Sequence, residues 1–202
     1  RVDCIYRRLD DNFLDPKAFY KGSVIGVPGL FKAWRKGNVG ILNAIGTGVA
    51  DDKVVYSYVN KMIVYYLGEQ PILNQVETYL CHDKTQMDYV IENISKLVVK
   101  PANASGGYGI MIGPKAPQKE RDEVIAKIKK NPREFIAQPL EILSTAPTIT
   151  KNDIEPRHLD LRPFVLSGKS TYVTTGGLTR VALRKGSTIV NSSQGGGSKD
   201  TL

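Results

Sequence analysis

Cysteine and histidine are scarce in this sequence, which has two of each among 202 residues. Two cysteines are too few for a disulfide framework, and the two histidines show no spacing typical of a zinc site. Cys4 and Cys81 both lie beside apolar residues, so we expect two buried thiols; the alternative is a reactive pair. This cysteine usage fits a reducing compartment, and we expect a cytoplasmic protein.

Long apolar runs are also lacking. None approaches the roughly 20 residues that span a bilayer, so we expect no transmembrane helix and no membrane partner. The opening segment, RVDCIYRR, does not have the pattern of a secretory signal. Because the sequence starts without methionine and stops at KDTL after a glycine run, we expect a piece of a longer protein.

Acidic residues are outnumbered by basic ones, and the formal net charge is +8. The basic excess is concentrated in residues 157–202, which favours an anionic ligand. The sequence shows no helix-turn-helix, zinc finger or aromatic RNA-binding strand pair, and its basic residues are dispersed among predicted strands. We therefore expect no nucleic-acid partner.

The spacing of apolar residues predicts an α+β protein with a mixed first half and a strand-rich second half. Helices are predicted over residues 29–37, 50–68 and 118–130, with Asp51 or Asp52 capping the second and Gly68 ending it. The predicted strands cover residues 1–9, 38–45, 75–81, 97–101, 110–112, 134–141, 157–168, 169–175, 178–186 and 187–193.

Alternation along the basic strands predicts one cationic and one apolar sheet face. Asp160 and Arg162 share a face with His158 and Phe164, whereas Leu159, Leu161 and Val165 lie opposite; Arg180 and Arg184 also share a face. Such a sheet suits a multiply charged ligand. A sheet with a solvated outer face explains the same pattern equally well.

Two glycine-rich segments follow predicted strands. AIGTGVAD (44–51) has only part of a dinucleotide-binding fingerprint, so an NAD-dependent oxidoreductase is a weak alternative; Lys53, in the next helical turn, could face an anion. KPANASGGYG (100–109) places Lys100 before the glycines, unlike a Walker A loop. It is either a hairpin with a flexible tip or a phosphate cradle.

Seven motifs in this order carry a resemblance to a known family: YRRLDD (6–11), GTGVADDK (46–53), VVKPANASGGYG (98–109), AQP (137–139), RHLDLRPFVL (157–166), GGLTRVAL (176–183) and VNSSQGGGSKDT (190–201). Over essentially its whole length the chain resembles the circularly permuted ATP-grasp proteins that are similar to glutathionylspermidine synthase. The resemblance implies two subdomains with mostly antiparallel sheets that hold a nucleotide between them.

On this resemblance we expect three segments: 1–52, an N-terminal α/β substrate part; 53–138, a lysine and glycine-lid subdomain; and 139–202, a C-terminal antiparallel subdomain. Lys53 and Lys100 would reach the nucleotide phosphates, and Gln138 would lie at the adenine edge. Asp160 would line the opposite sheet with the catalytic arginines Arg162 and Arg180. The lid would comprise Ser105, Gly106, Gly107, Tyr108 and Gly109, and Asn191 and Gln194 would lie near the transferred phosphate.

The activity implied by the resemblance is an ATP- and Mg²⁺-dependent ligase that joins a small-molecule or peptide carboxylate to an amine through an acyl phosphate. This chain would be its nucleotide-binding part; a non-catalytic nucleotide-binding or scaffold module is the alternative. The family's metal-binding Glu-x-Asn element would lie upstream of residue 1, and Ala104 stands where similar sequences often carry an acidic residue. The metal ligands are therefore unknown, and we do not expect turnover by this chain alone.

The YRRLDD motif has two interpretations. Arg7 and Arg8 beside Asp10 and Asp11 could form a substrate-facing cluster or a salt-bridged strand end. We favour the strand end, because exposed mixed charges are ordinary on protein surfaces.

Overall fold

A computed structural model of the protein describes residues 1–103, 109–150, 153–188, 190 and 196–201. The chain divides into two compact units, Arg1–Leu80 (the first unit) and Cys81–Leu202 (the second unit). This division does not test the predicted boundaries at 52/53 and 138/139, which stay predictions. Among the described residues, no helix is both long and apolar enough to cross a membrane.

The first unit contains a two-stranded parallel sheet and three α-helices. Its elements are β1 (Cys4–Tyr6), α1 (Asp11–Leu14), α2 (Leu30–Arg35), β2 (Gly40–Leu42), a 3₁₀-helix (Thr47–Asp51), α3 (Lys53–Leu67) and β3 (Tyr79–Leu80). The three strands predicted here are much shorter than expected. β1 and β2 pair only over Cys4–Tyr6 and Gly40–Leu42, and in β2 only Ile41 is buried.

The helix predicted over residues 50–68 is present as the shorter α3, and Asp52, one of the two predicted caps, precedes its first turn. The Asp52 carboxylate accepts a hydrogen bond from the Val54 amide at 2.7 Å, which satisfies one of the unpaired donors of the first turn. Gly68 follows the last turn in the left-handed conformation, at φ 66°, where glycine is favoured.

A buried carboxylate, that of Asp15, orders the segment before α2. Asp15 is 1% exposed and accepts hydrogen bonds from the amides of Lys17, Gly29 and Phe31 at 2.8, 3.0 and 2.9 Å. Burial alone would raise the pKa of Asp15. The three amide bonds and the Lys17 charge outweigh that effect, so its pKa lies below the ordinary value.

The second unit begins with two helices and an antiparallel sheet. The elements are α4 (Lys84–Glu92), β4 (Leu97–Pro101), β5 (Met111–Ile112), α5 (Gln118–Lys130) and β6 (Phe135–Pro139), with strand order β6-β4-β5 in this unit. The strands predicted over 97–101 and 110–112 form the antiparallel pair β4–β5, which fits both interpretations of the segment between them, and the predicted helix α5 is confirmed. Val90, Val99, Met111, Ile128 and Ile136 are almost fully buried and form much of the core.

A second antiparallel sheet follows, in the order β10-β9-β8-β7. Its strands are β7 (Thr145–Ile149), β8 (Ile154–Ser167), β9 (Thr171–Val181) and β10 (Gly197–Thr201). Together, the helices and the antiparallel sheets confirm the α+β prediction.

The strand boundaries in this sheet differ from the prediction. The strands predicted over 169–175 and 178–186 form the single strand β9, which has extra residues opposite Phe164 where the β8–β9 register shifts. Arg184 lies beyond β9, so its predicted sharing of a strand face with Arg180 is wrong. Of the strand predicted over 187–193, the described residues are not in a strand, and 189 and 191–193 lie outside the described residues.

The predicted apolar burial is confirmed only in part. Cys81 is fully buried, and burial raises the pKa of its thiol to about 11. Cys4 is exposed on the short strand β1, so its predicted burial is wrong. Leu161 and Val165 are also more than half exposed, at 56% and 54%, and the face predicted to be apolar is therefore not covered there.

Candidate functional site

The side chains of Lys100 and Gln138 meet on one face of the first sheet of the second unit. β4 and β6 are antiparallel neighbours in which Lys100 pairs with Ile136 and Val98 with Gln138. Because alternate residues share a face, Lys100 and Gln138 are diagonal neighbours. The Lys100 ammonium donates a hydrogen bond to Gln138 Oε1 at 2.6 Å, and Gln138 is 8% exposed. A positive charge is thus held at a defined point on a packed sheet.

One described residue of the predicted lid lies close to the end of the strand that carries this lysine. Gly109, the last residue of the predicted lid, has φ 72°, and a Cβ on it would lie 2.9 Å from Pro101 Cγ, at the end of β4. A side chain would therefore be excluded both by conformation and by space. The other predicted lid residues, Ser105, Gly106, Gly107 and Tyr108, lie outside the described residues.

Asp160, Arg162 and Arg180 form a second cluster on the β8–β9 pair. Asp160 and Arg180 are direct cross-strand partners, and Arg180 binds both carboxylate oxygens, with Nε to Oδ1 at 3.0 Å and Nη2 to Oδ2 at 2.7 Å. Arg162 Nη2 reaches Oδ2 at 3.2 Å. The structure thus brings together three residues that the sequence predicts for the site.

The cluster is cationic overall, because two guanidinium groups share one carboxylate. Arg180 is the more buried arginine, with 18% of its side chain exposed, whereas Arg162 is 53% exposed. A bidentate pair fixes the orientation of Arg180. Asp160 is in turn a poor candidate for metal binding, since both its oxygens already accept hydrogen bonds from arginine.

The remaining predicted residues are placed elsewhere or are not described. Lys53 belongs to the first unit, where it begins α3 directly after the capping residue Asp52. Asn191 and Gln194 lie outside the described residues. Among the described residues there is no group of three or more His, Cys, Asp or Glu side chains that could hold a metal ion, and the structure assigns no Mg²⁺ ligand.

Within the YRRLDD motif Arg7 is buried, which its sequence does not predict, whereas Tyr6, Arg8 and Asp10 are exposed. Arg7 Nη2 lies 2.6 Å from Asp11 Oδ1, and only 8% of the Arg7 side chain is exposed. The ion pair of the favoured interpretation is therefore present, but it is not at an exposed strand end. The signal for this pair in the sequence is the four-residue spacing of Arg7 and Asp11, because their other partners are backbone groups, those of Leu9 and of residues 43–46.

A cavity of about 400 Å³ also lies in the first unit, along α3. Apolar side chains such as Tyr56, Ile63 and Leu67 line much of it. None of the described residues predicted for the site contributes to its walls.

Comparison with known proteins defines the class to which these features belong. Residues 1–182 match the family described as circularly permuted ATP-grasp type 2, and the chain belongs to this family. The lysine, glycine and arginine positions described above lie within the matched region.

Several relatives are similar to this chain over its full length. It is 56% identical over 202 residues to "Uncharacterized protein sll0335" of Synechocystis sp. and 54% identical over 202 residues to "Uncharacterized protein Rv2411c" of Mycobacterium tuberculosis. It is also 50% identical over 201 residues to "Putative glutamate--cysteine ligase 2-2" of Frankia casuarinae.

These matches cover 100% of this chain but 42%, 37% and 23% of the three relatives, so the chain spans less than half the length of each. The similarity to glutathionylspermidine synthase that formed part of the resemblance is not shown by these comparisons. It stays a prediction.

Proposed function

We propose that this chain is the nucleotide-binding part of an ATP-dependent ligase that joins a carboxylate to an amine. Membership of the ATP-grasp family and the name of the Frankia relative, which is that of a glutamate–cysteine ligase, support this proposal. The observation that carries it is the hydrogen bond between Lys100 and Gln138, which holds one ammonium on a packed sheet beside a glycine-rich segment. A lysine held in this way can neutralise phosphate oxygens as a point charge.

In the proposed reaction the substrate carboxylate attacks the γ-phosphorus of ATP, and ADP leaves. The amine then attacks the acyl phosphate, and inorganic phosphate leaves as the amide forms. Neither step requires a nucleophile from the protein, and catalysis of phosphoryl transfer rests on positioning and charge neutralisation. Lys100 and Lys53 would bind phosphates, while Arg162 and Arg180 would stabilise charge on the transferred group.

The pairing of Arg180 with Asp160 suits this role. A guanidinium that is already oriented by a bidentate carboxylate does not have to be immobilised again when a phosphoryl group arrives. Mg²⁺ would supply further charge neutralisation on the phosphates. No described residue of this chain is assigned to it.

The first substrates to test are glutamate and cysteine, which appear in the name of the Frankia relative. A cytoplasmic location and the absence of a nucleic-acid partner stay predictions from the sequence. So do the adenine contact of Gln138 and the roles of the lid residues, Asn191 and Gln194.

Calorimetric titration of the natural full-length protein with ATP and Mg²⁺ tests the nucleotide site. We expect Lys100→Ala to weaken binding at least about tenfold, the effect of losing one favourable charged contact. Lys119→Ala removes an exposed lysine from α5 and should leave binding unchanged. Equal affinity in the wild type and Lys100→Ala would refute the assignment of Lys100.

Release of ADP tests the ligase activity separately. With glutamate and cysteine present, we expect ADP and phosphate to appear together with a dipeptide, which mass spectrometry would detect. Tight ATP binding without ADP release, across a broad set of acids and amines, would instead support the non-catalytic module.

A further inference from the structure

We propose that Arg7 and Asp11 are positioning residues that hold the segment from Asn43 to Lys53 in the conformation in which it binds phosphate. The inference rests on the proposed function, because it concerns the phosphate contact assigned to Lys53. All the residues involved lie in the first unit. Neither side chain is proposed to touch the nucleotide.

Each of the three guanidinium nitrogens of Arg7 donates a hydrogen bond inside the protein. Its guanidinium donates to the carbonyl of Asn43 through Nε at 2.7 Å, to that of Leu9 through Nη1 at 2.6 Å, and to that of Ala44 through Nη2 at 2.6 Å. The Asn43 side-chain amide returns a hydrogen bond to the Arg7 carbonyl at 3.0 Å. The planar fork of arginine allows these three directions at once, which a lysine ammonium at the same place would not reproduce.

Asp11 extends the same network to the glycine turn. Its Oδ1 lies 2.6 Å from Arg7 Nη2, and its Oδ2 accepts the Gly46 amide at 3.0 Å. Gly46 has φ 91°, in the left-handed region, and a Cβ there would meet nothing within 4 Å. Glycine is needed at this position for its backbone conformation and not for space. We name Arg7, Asp11 and the backbone of residues 43–46 the RD latch.

The latch fixes the start of the chain segment that leads to Lys53. Directly after Gly46 comes the 3₁₀-helix Thr47–Asp51, and Asp52 then caps α3, of which Lys53 is the first residue. Thr47 adds a further tie, because its hydroxyl donates to the Ala44 carbonyl at 2.8 Å. The direction in which Lys53 leaves the loop therefore depends on the ion pair of buried Arg7 with half-buried Asp11, about 40 residues earlier in the chain.

The Arg7 guanidinium is not available for a ligand, because Asp11 neutralises its charge and backbone carbonyls already accept its hydrogen bonds. Its loss should therefore act through the loop. This distinguishes a positioning residue from a phosphate-binding one, since its effect should disappear once Lys53 is gone.

The test uses the natural full-length protein and two readouts. Amide hydrogen exchange without ligand measures the order of residues 44–52, and calorimetry measures affinity for ATP, tripolyphosphate and adenosine. The variants are Arg7→Lys and Asp11→Asn, each alone and combined with Lys53→Ala. Arg8→Lys is the matched control, because Arg8 belongs to the same motif and is exposed.

We expect Arg7→Lys and Asp11→Asn to speed exchange over residues 44–52 and to weaken ATP and tripolyphosphate binding about tenfold. Adenosine affinity and the effect of Arg8→Lys should stay unchanged. In the Lys53→Ala background, the Arg7 substitution should cause no further loss, as for two residues that act as a unit.

Faster exchange with unchanged tripolyphosphate affinity would overturn the inference and leave the latch a purely structural feature. A full additional loss in the Lys53→Ala background would overturn it too, since Arg7 would then act independently of Lys53. If the wild type binds neither ATP nor tripolyphosphate, the proposed function fails as well. The first two results leave the proposed function intact.

Discussion

Removing the Gln138 acceptor tests whether Lys100 is held as the geometry indicates. Gln138→Leu keeps a side chain of similar shape but deletes the oxygen that lies 2.6 Å from the Lys100 ammonium. Hydrogen bonds to charged groups contribute about 1.5–3 kcal/mol to stability. Because Lys100 is only half-buried and water can replace part of the bond, we expect a coupling free energy of about 1–2 kcal/mol.

A double-mutant cycle isolates that coupling. Gln138→Leu, Lys100→Met and the double variant are compared with the wild type by urea unfolding. Labelling of the Cys81 thiol reports on opening of the second unit, because Cys81 is fully buried there. The measurements need a Cys4→Ser background, since Cys4 is exposed and would react in the folded state.

The expected result is that the double variant loses less stability than the sum of the single variants. A second cycle with Lys119→Met, which alters an exposed lysine of α5, should give a coupling near zero. A coupling below about 0.5 kcal/mol for Lys100 and Gln138, within the usual additivity of independent sites, would refute the claim that Gln138 fixes the ammonium.

Three other predictions follow from the fold. Asp15 has a lowered pKa in the folded protein, so its ionised form stabilises the first unit. This stabilisation is fully present above the ordinary carboxyl pKa of about 4 and is lost as the pH falls through the lower pKa of the folded state. Trp34 fluorescence measures the acid unfolding of the first unit, and Asp15→Asn should remove this dependence on pH. A thiol reagent at about pH 8 should modify Cys4 and spare Cys81, whose pKa is raised to about 11, as seen by mass spectrometry. Gly113→Ala should destabilise the second unit by roughly 3 kcal/mol in thermal unfolding followed by circular dichroism, because its Cβ would lie 1.9 Å from the Ile94 carbonyl.

Each of these predictions has an internal control. Asp51→Asn alters an exposed carboxylate and should leave the acid transition of the first unit in place. Gly168→Ala introduces a Cβ with no atom nearer than 4.0 Å, so it should be close to neutral. Equal labelling of both cysteines, an unchanged acid transition in Asp15→Asn or a stable Gly113→Ala protein would each contradict the packing described.

Elements with local signals were predictable from the sequence. The bounds of α3 follow from Asp52 and Gly68, and those of α5 from its apolar spacing and the Asn131-Pro132 stop. β10 was not predictable, because GSKDT has no apolar alternation and pairs only through the edge of β9. β7 was missed for a similar reason, since Pro147 lies in it and its partner β8 supplies the register.

The sequence and the resemblance name the residues of the candidate site, whose roles stay predictions, but the contacts between these residues cannot be predicted from the sequence. Lys100 follows from an apolar run before glycines, yet its bond to Gln138 depends on the β4–β6 register, which joins residues 38 positions apart. The resemblance assigns Gln138 to the adenine edge, and the structure shows its oxygen facing Lys100. The sequence favours an exposed strand end for Arg7, because its carbonyl partners at Asn43 and Ala44 are sequence-distant backbone groups that carry no side-chain signal.

The RD latch also has a consequence for the order in which the protein acquires its structure. During synthesis Arg7 leaves the ribosome well before Asn43 and Ala44. Its guanidinium therefore stays hydrated, without these two carbonyl partners, while roughly 35 residues are added. At about 5–20 residues per second, that interval lasts a few seconds. β8 and β9, by contrast, are joined by a short turn and can pair as soon as both have emerged. We therefore expect the glycine turn before Lys53 to become ordered only after a long loop has closed, whereas the Asp160–Arg180 pair forms from neighbouring strands.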